Sequence, residues 1–155
     1  MAETKLTTQR ACKLAGLHRD RFNEHVHADH YPCAPKTVPG RSRLFDANDL
    51  LALLLFRKLM DDGVDAKNAG EIACTVMEAA RQAPSARCVA FVQPVLGSAL
   101  AMPADELPDV SAWDDWLHNG CDIEKVTIFR VGKWRDQIAH QMDDDLLIVG
   151  DPSEG

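Results

Sequence analysis

The sequence predicts an α+β chain, with helices crowding its first half and strands mixed with helices in its second. Three observations carry that reading. Up to Gln82, apolar residues recur mostly at helical spacing, and a turn-rich stretch around Pro39-Gly40 interrupts them. Pro84, in "RQAPSAR", then breaks the pattern. Beyond it, "RCVAFVQPVLG" and "EKVTIFRV" read as strands and "GKWRDQIAHQM" as a helix. The expected division is a domain over residues 1–83 and a small α/β unit over 84–155.

The elements follow in order. Thr7 or Thr8 can cap a first helix, whose short apolar stripe is Ala11, Cys12, Leu14 and Ala15. Gly16 stops it, because glycine takes the left-handed conformation at little cost. A second helix runs from about His18 to Val26, with Leu17, Phe22 and Val26 on its buried side. Small Cys12, turning Gly16 and bulky Phe22 suit a helix-turn-helix, and suit an ordinary helical hairpin as well. Val38-Pro39-Gly40-Arg41 is a type II turn signature flanked by short extended runs. It reads as a β-hairpin, a wing carrying Lys36, Arg41 and Arg43 at its tip.

Asp46, supported by Asp49, caps a third helix over Leu50 to Met60 that Gly63 ends. It is apolar nearly all round, so it should be buried on more than one side. Asp65 caps a fourth helix with Ala69, Ile72, Ala73, Val76, Met77 and Ala80 at helical spacing. In the second half, Pro94 makes "RCVAFVQPVLG" an edge strand or two short strands. "SAWDDWLHNG" reads as a short helix stopped at Asn119-Gly120, and "LLIVG" as a last strand.

Composition bounds the function. The 155 residues carry a net charge of −7. Residues 1–45 hold eight Lys/Arg against four Asp/Glu, and residues 46–155 hold nine against twenty, so +4 and −11 make up the total. A basic N-terminal segment on an acidic body points to nucleic acid. The longest apolar run, Leu50 to Phe56, is too short to span a bilayer, and "MAETKLTTQR" is not a secretory signal. A cytoplasmic protein with no membrane partner is expected. The five cysteines are odd in number, scattered and without C-x-x-C spacing, so the expectation is that they are reduced, with no disulfide.

Residues 6–82 resemble the DNA-binding domain of the MerR family of regulators. "ACKLAGLHRDRF" matches its helix-turn-helix, "GRSRLFDANDL" its passage from wing to third helix, and "LLLFRKLMDDGVDAKNAGEI" its helix pair. Arg43, Leu44, Phe45 and Asp49-Leu50 fit the family's wing end, and Gly63, Val64 and Asp65 its helix junction. Two departures stand out. "NEHVHADHY" replaces the arginine and tyrosines that the family carries after the Phe22 position, and an α/β segment replaces its long dimerisation helix. The resemblance implies a winged helix-turn-helix that binds double-stranded DNA.

In such a fold the second helix enters the major groove with its N-terminal residues nearest the bases, which nominates His18, Arg19, Asp20, Arg21 and Asn23. Arginine can bridge guanine O6 and N7, and asparagine can pair with adenine. Lys36, Arg41 and Arg43 would meet phosphates or the minor groove. Arg43 could instead pair internally with Asp46 or Asp49. Gln9 and Arg10 could touch phosphate. A transcriptional regulator acting as a homodimer is expected, because paired half-sites supply contacts that one small domain lacks. The third helix and the C-terminal unit are the candidate dimer surfaces.

The residues admit three other readings. A phage or mobile-element factor, excisionase-like or small-terminase-like, would use residues 84–155, with Trp113, Trp116 and Trp134, to dock a protein partner. A metal-responsive sensor would use His25, His27, His30 and Cys33 in "HVHADHYPC". That spacing lacks the usual ligand pairs, so no metal and no cofactor is expected. In the DNA-binding reading these histidines lie close to phosphate instead. An enzyme is not expected, because no phosphate loop, nucleophile elbow or metal-protease motif is present, and Asp114-Asp115 and Asp143-Asp144-Asp145 read as solvated ends.

Overall fold

The computed structural model describes residues 4–37, 39–41, 43–115, 117, 118 and 121–149, and their side chains except at 115, 117, 118, 121 and 145–149. The fold is mixed α+β. The chain forms two compact units. One joins Met1–Cys74 with Trp134–Gly155, and the other is Thr75–Lys133. This differs from a division after residue 83, because the last helix returns most of its length to the first unit.

In the first unit, β1 (Leu6–Thr7) leads directly into α1 (Thr8–Ala15). Thr7 occupies the cap position, but its side chain makes no capping bond, and its Oγ1 is buried without a hydrogen-bond partner. Gly16 ends α1 at φ 80°. There the Leu17 N–H donates to the Cys12 carbonyl and the Gly16 N–H to that of Lys13, which satisfies carbonyls the helix leaves open. After α2 (Arg19–His27) the same bond pattern recurs: the His30 N–H donates to His25 O and the Asp29 N–H to Val26 O. Asp29 holds the left-handed position there at φ 60°, which aspartate tolerates better than most residues.

The expected wing differs from a self-contained hairpin. Gly40 takes φ 79°, as a type II turn requires, while Val38 and Ser42 lie outside the described residues. The strand after the turn, β2 (Leu44–Phe45), pairs antiparallel with β1, matching Leu6 to Phe45 and Thr7 to Leu44. Leu6 and Phe45 lie opposite each other and are both buried. The second side of the turn is therefore fastened to the chain's beginning.

In α3 (Ala47–Asp61), the Asp49 N–H donates to the Asp46 carboxylate at 2.8 Å and the Asp46 N–H to that of Asp49 at 3.0 Å. This reciprocal box satisfies two of the N–H groups that a helix start leaves open. Leu50, Leu51, Ala52, Leu53, Leu55 and Phe56 are all buried. As a result α3 spends most of its apolar surface inside the fold, while Leu54, Leu59 and Met60 stay half-buried. Asp65 caps α4 (Ala66–Gln82) by accepting from the Asn68 N–H at 2.8 Å. The small-residue stripe is buried at Ala69, Ala73, Val76, Met77 and Ala80.

Aromatic rings fill the core of this unit. Phe22 meets Tyr31 at 5.2 Å and Phe45 at 5.9 Å, and Tyr31 meets Phe56 at 4.9 Å, all edge to face. Such pairs add about 0.5–1.5 kcal/mol each beyond area burial. Tyr31 is fully enclosed, and burial holds its phenol well above its ordinary pKa.

The second unit is built on an antiparallel sheet in the order β4-β3-β6-β5, with β3 Val89–Pro94, β4 Leu100–Pro103, β5 Leu117–His118 and β6 Cys121–Phe129. β3 is central, not an edge strand. Four consecutive buried residues, Val89 to Val92, mean that both its faces are covered. Pro94 sits where the ladder to β6 shifts register, so its missing N–H leaves the regular pairing intact. The expected helix around Trp113 is a 3-10 segment, Val110–Asp115, and the Trp113 indole donates to the Pro108 carbonyl at 2.9 Å. Trp116 and Asn119-Gly120 lie outside the described residues.

The last helix, α5, runs over Val131–Val149 and absorbs the stretch expected as a final strand. No glycine or proline stands between Gly132 and Gly150 to stop it. Lys58 stacks its ammonium over the Trp134 ring at 5.4 Å within the first unit. Among the described residues, no helix is long and apolar enough to cross a membrane.

Candidate functional site

A surface cleft of about 320 Å³ opens on the first unit, lined by Thr7, Thr8, Gln9, Arg19, Asp20, Asn23, Thr37, Arg41 and Arg43. Three separate stretches converge on it: the start of α1, the first turn and a half of α2, and the segment around the Pro39-Gly40 turn. Six residues nominated from sequence, Gln9, Arg19, Asp20, Asn23, Arg41 and Arg43, share this one depression.

Local structure aims them. The N-cap of α2 is His18, whose Nδ1 accepts from the Asp20 N–H at 3.2 Å, so its ring serves the helix start. Arg19 and Asp20 follow on the exposed first turn. Their side chains approach to 3.8 Å while 54 % and 70 % exposed, a contact too solvated to immobilise the guanidinium. Asn23 lies one turn on from Arg19 and joins the same face.

Arg41 is exposed beside the turn. Arg43 is half-buried, and its guanidinium donates to the Pro35 carbonyl, bracing the two sides of the 35–43 segment. The carboxylates of Asp46 and Asp49 close the capping box of the third helix.

The other nominated residues lie elsewhere. Lys36 lines a neighbouring cleft of about 460 Å³ with Asp29, Tyr31, Thr37 and Arg43. Arg10 is half-buried and Arg21 exposed, and neither lines the first cleft. Sequence reasoning passed over Thr37 as a site residue and treated Thr7 and Thr8 only as helix caps. No local signal marks them, because they meet the three arginines only in the fold. The cleft offers guanidinium, amide and hydroxyl groups and the Asp20 carboxylate around one space, a set in which three arginines outnumber one acid and can meet phosphate oxygens and base edges.

The stretch "HVHADHYPC" is organised by ring contacts and a disulfide. His25 packs against the Phe56 ring at 5.2 Å and brings its Nδ1 to 3.4 Å from that of His30, so one ring donates to the other. Neither histidine lines the cleft. Burial, then the charges of His30 and Arg21, lower the pKa of His25, with Glu24 opposing.

Cys33 is joined to Cys74 in a disulfide, with Cα atoms 5.5 Å apart. This overturns the expectation of reduced cysteines. The partners are 41 residues apart, a distance at which spacing carries no pairing signal, and α4 brings them together. With that sulfur committed and His27 exposed, the four ligand types of the metal-sensor reading do not converge. Among the described residues, no group of three or more His, Cys, Asp or Glu could hold a metal ion.

No protein-family model matches the chain, and no curated protein matches it.

Proposed function

We propose that this chain binds double-stranded DNA through a MerR-like winged helix-turn-helix and acts as a homodimeric transcriptional regulator. α1 and α2 supply the helix-turn-helix, and residues 34–43 supply the wing. The observation that carries the reading is the gathering of Arg19, Asn23, Gln9, Arg41 and Arg43 from three stretches into one cleft on the basic N-terminal segment. Arg19 and Asn23 stand near the start of α2, where a recognition helix meets base edges. Arg41 stands on the turn, where neutralising a phosphate needs only charge and reach. The homodimer supplies the second half-site that such a small contact set needs.

The test starts by selecting binding duplexes from a random pool, then measures fluorescence anisotropy of the selected duplex over a salt series. Arg19→Ala should weaken binding by about 1–3 kcal/mol and relax preference at one position. Arg41→Ala should weaken all duplexes evenly and reduce the salt slope by about one. Equal binding by wild type and both variants at low salt would sink the assignment. Light scattering at micromolar concentration should return the dimer mass, and a monomer would count against the homodimer.

A further inference from the structure

The segment carrying Lys36, Thr37, Arg41 and Arg43 is fastened at both ends. Downstream, β2 pairs with β1. Upstream, the Cys33–Cys74 disulfide ties it to α4. The residues just before Cys33 have their own attachments. Tyr31 is buried among Phe22 and Phe56, and the His30 carbonyl lies so close to Gly70 that no side chain fits between. Beyond the brace from Arg43 to the Pro35 carbonyl within the segment itself, the disulfide is what ties its upstream side to the rest of the unit, a tie that residues 25–31 do not need.

From this arrangement we infer that Cys33 and Cys74 form a reversible thiol–disulfide couple whose state decides whether the 34–43 segment is anchored or released. Cys33 is half-buried and reachable from solvent, whereas Cys74 is only 8 % exposed. A thiolate of a dithiol reductant attacks Cys33 Sγ, the S–S bond breaks, and Cys74 leaves as a thiolate that takes a proton. The Cys33 N–H, 3.3 Å from Cys74 Sγ, stands ready to donate to that departing sulfur. The reductant's second thiol then resolves the mixed disulfide. Cys33 is released as a thiol and the reductant becomes a disulfide, with two electrons and two protons transferred. Cys12 takes no part, because it is fully buried and burial pushes its thiol up to about 11. The couple stands on the fold and does not depend on the proposed function.

The full-length protein is equilibrated in oxidised and reduced dithiothreitol mixtures, alkylated and mapped by mass spectrometry, and digested briefly with trypsin in parallel. Cys33 and Cys74 should become alkylated together in one transition. Cleavage after Lys36 or Arg41 should quicken roughly tenfold or more on reduction, since proteolysis needs local opening. Cys33→Ser should cleave at the reduced rate in either buffer. Alkylation of Cys33 in the oxidised protein, or equal cleavage of oxidised and reduced wild type, would overturn the inference. Failure to find DNA binding in either state would overturn the proposed function and leave the cleavage result to decide this one.

Discussion

Gly70→Ala sets two opposed effects against each other, and the structure decides the sign. In an exposed helix the change would stabilise by about 1 kcal/mol, because glycine is the poorer helix former. Here a Cβ would stand 1.6 Å from the His30 carbonyl oxygen, 2.8 Å from its carbon and 3.3 Å from Tyr31 Cα. Contact at an ordinary separation requires the loop to retreat by on the order of 2 Å. That loop is backbone held on three sides: the His30 N–H bonds to His25 O, Tyr31 is locked in the aromatic core, and Cys33 is tied to Cys74. Overpacking costs about 1–3 kcal/mol where side chains can adjust, and a fixed backbone belongs at or above the upper end.

The net expectation for Gly70→Ala is a loss of about 2 kcal/mol, or roughly 4–8 °C in melting temperature for a chain of this size. Thermal and urea unfolding of the oxidised protein measure it. The cost should shrink in a Cys33→Ser background, where the loop can move more freely, so the two changes should be less than additive. A melting temperature equal to or above wild type would refute the close-approach argument, because helix propensity would then have prevailed.

Three further outcomes follow from the same contacts. Reducing the disulfide should destabilise the protein by about 4 kcal/mol on the chain-entropy account, given the 41-residue separation, and denaturant midpoints with and without a dithiol reductant check it. His25 has a folded pKa below its ordinary 6.5, so the unfolded chain takes the proton first. Its stabilising contribution is complete above 6.5 and is lost as the pH falls from there through the lowered folded value; His25→Leu should flatten that part of a stability–pH curve. Cys12, fully buried and raised to about 11, should resist alkylation at pH 8 while half-buried Cys88 reacts, and mass mapping of briefly treated native protein tests the order.

Much of the first unit was legible in the residues because its signals are local. Asp46 and Asp49 three apart, Asp65 before Asn68, and Gly16 and Gly63 after apolar stripes each act within one helical turn, so adjacent residues state the outcome. The basic N-terminal segment was likewise visible in composition, while the six cleft residues were nominated from the helix-turn-helix and wing that the resemblance implies. The end of α5 is not legible locally, because Leu146 to Val149 is strand-prone in isolation, yet it continues a helix that nothing interrupts. The central place of β3 is not legible either, because a proline suggests an edge, while its position at the end of the ladder makes it harmless.

By itself, then, the sequence determined where helices start and stop, which faces are apolar, and which end of the chain carries positive charge. The tertiary structure alone decided that Cys33 meets Cys74, that Gly70 must admit a backbone, that His25 turns to His30 rather than outward, and that three arginines share one cleft. Capping and turn signals depend on residues within a few positions of each other. A disulfide partner or a cleft depends on where distant stretches of the chain come to lie, and local residue preferences do not encode that.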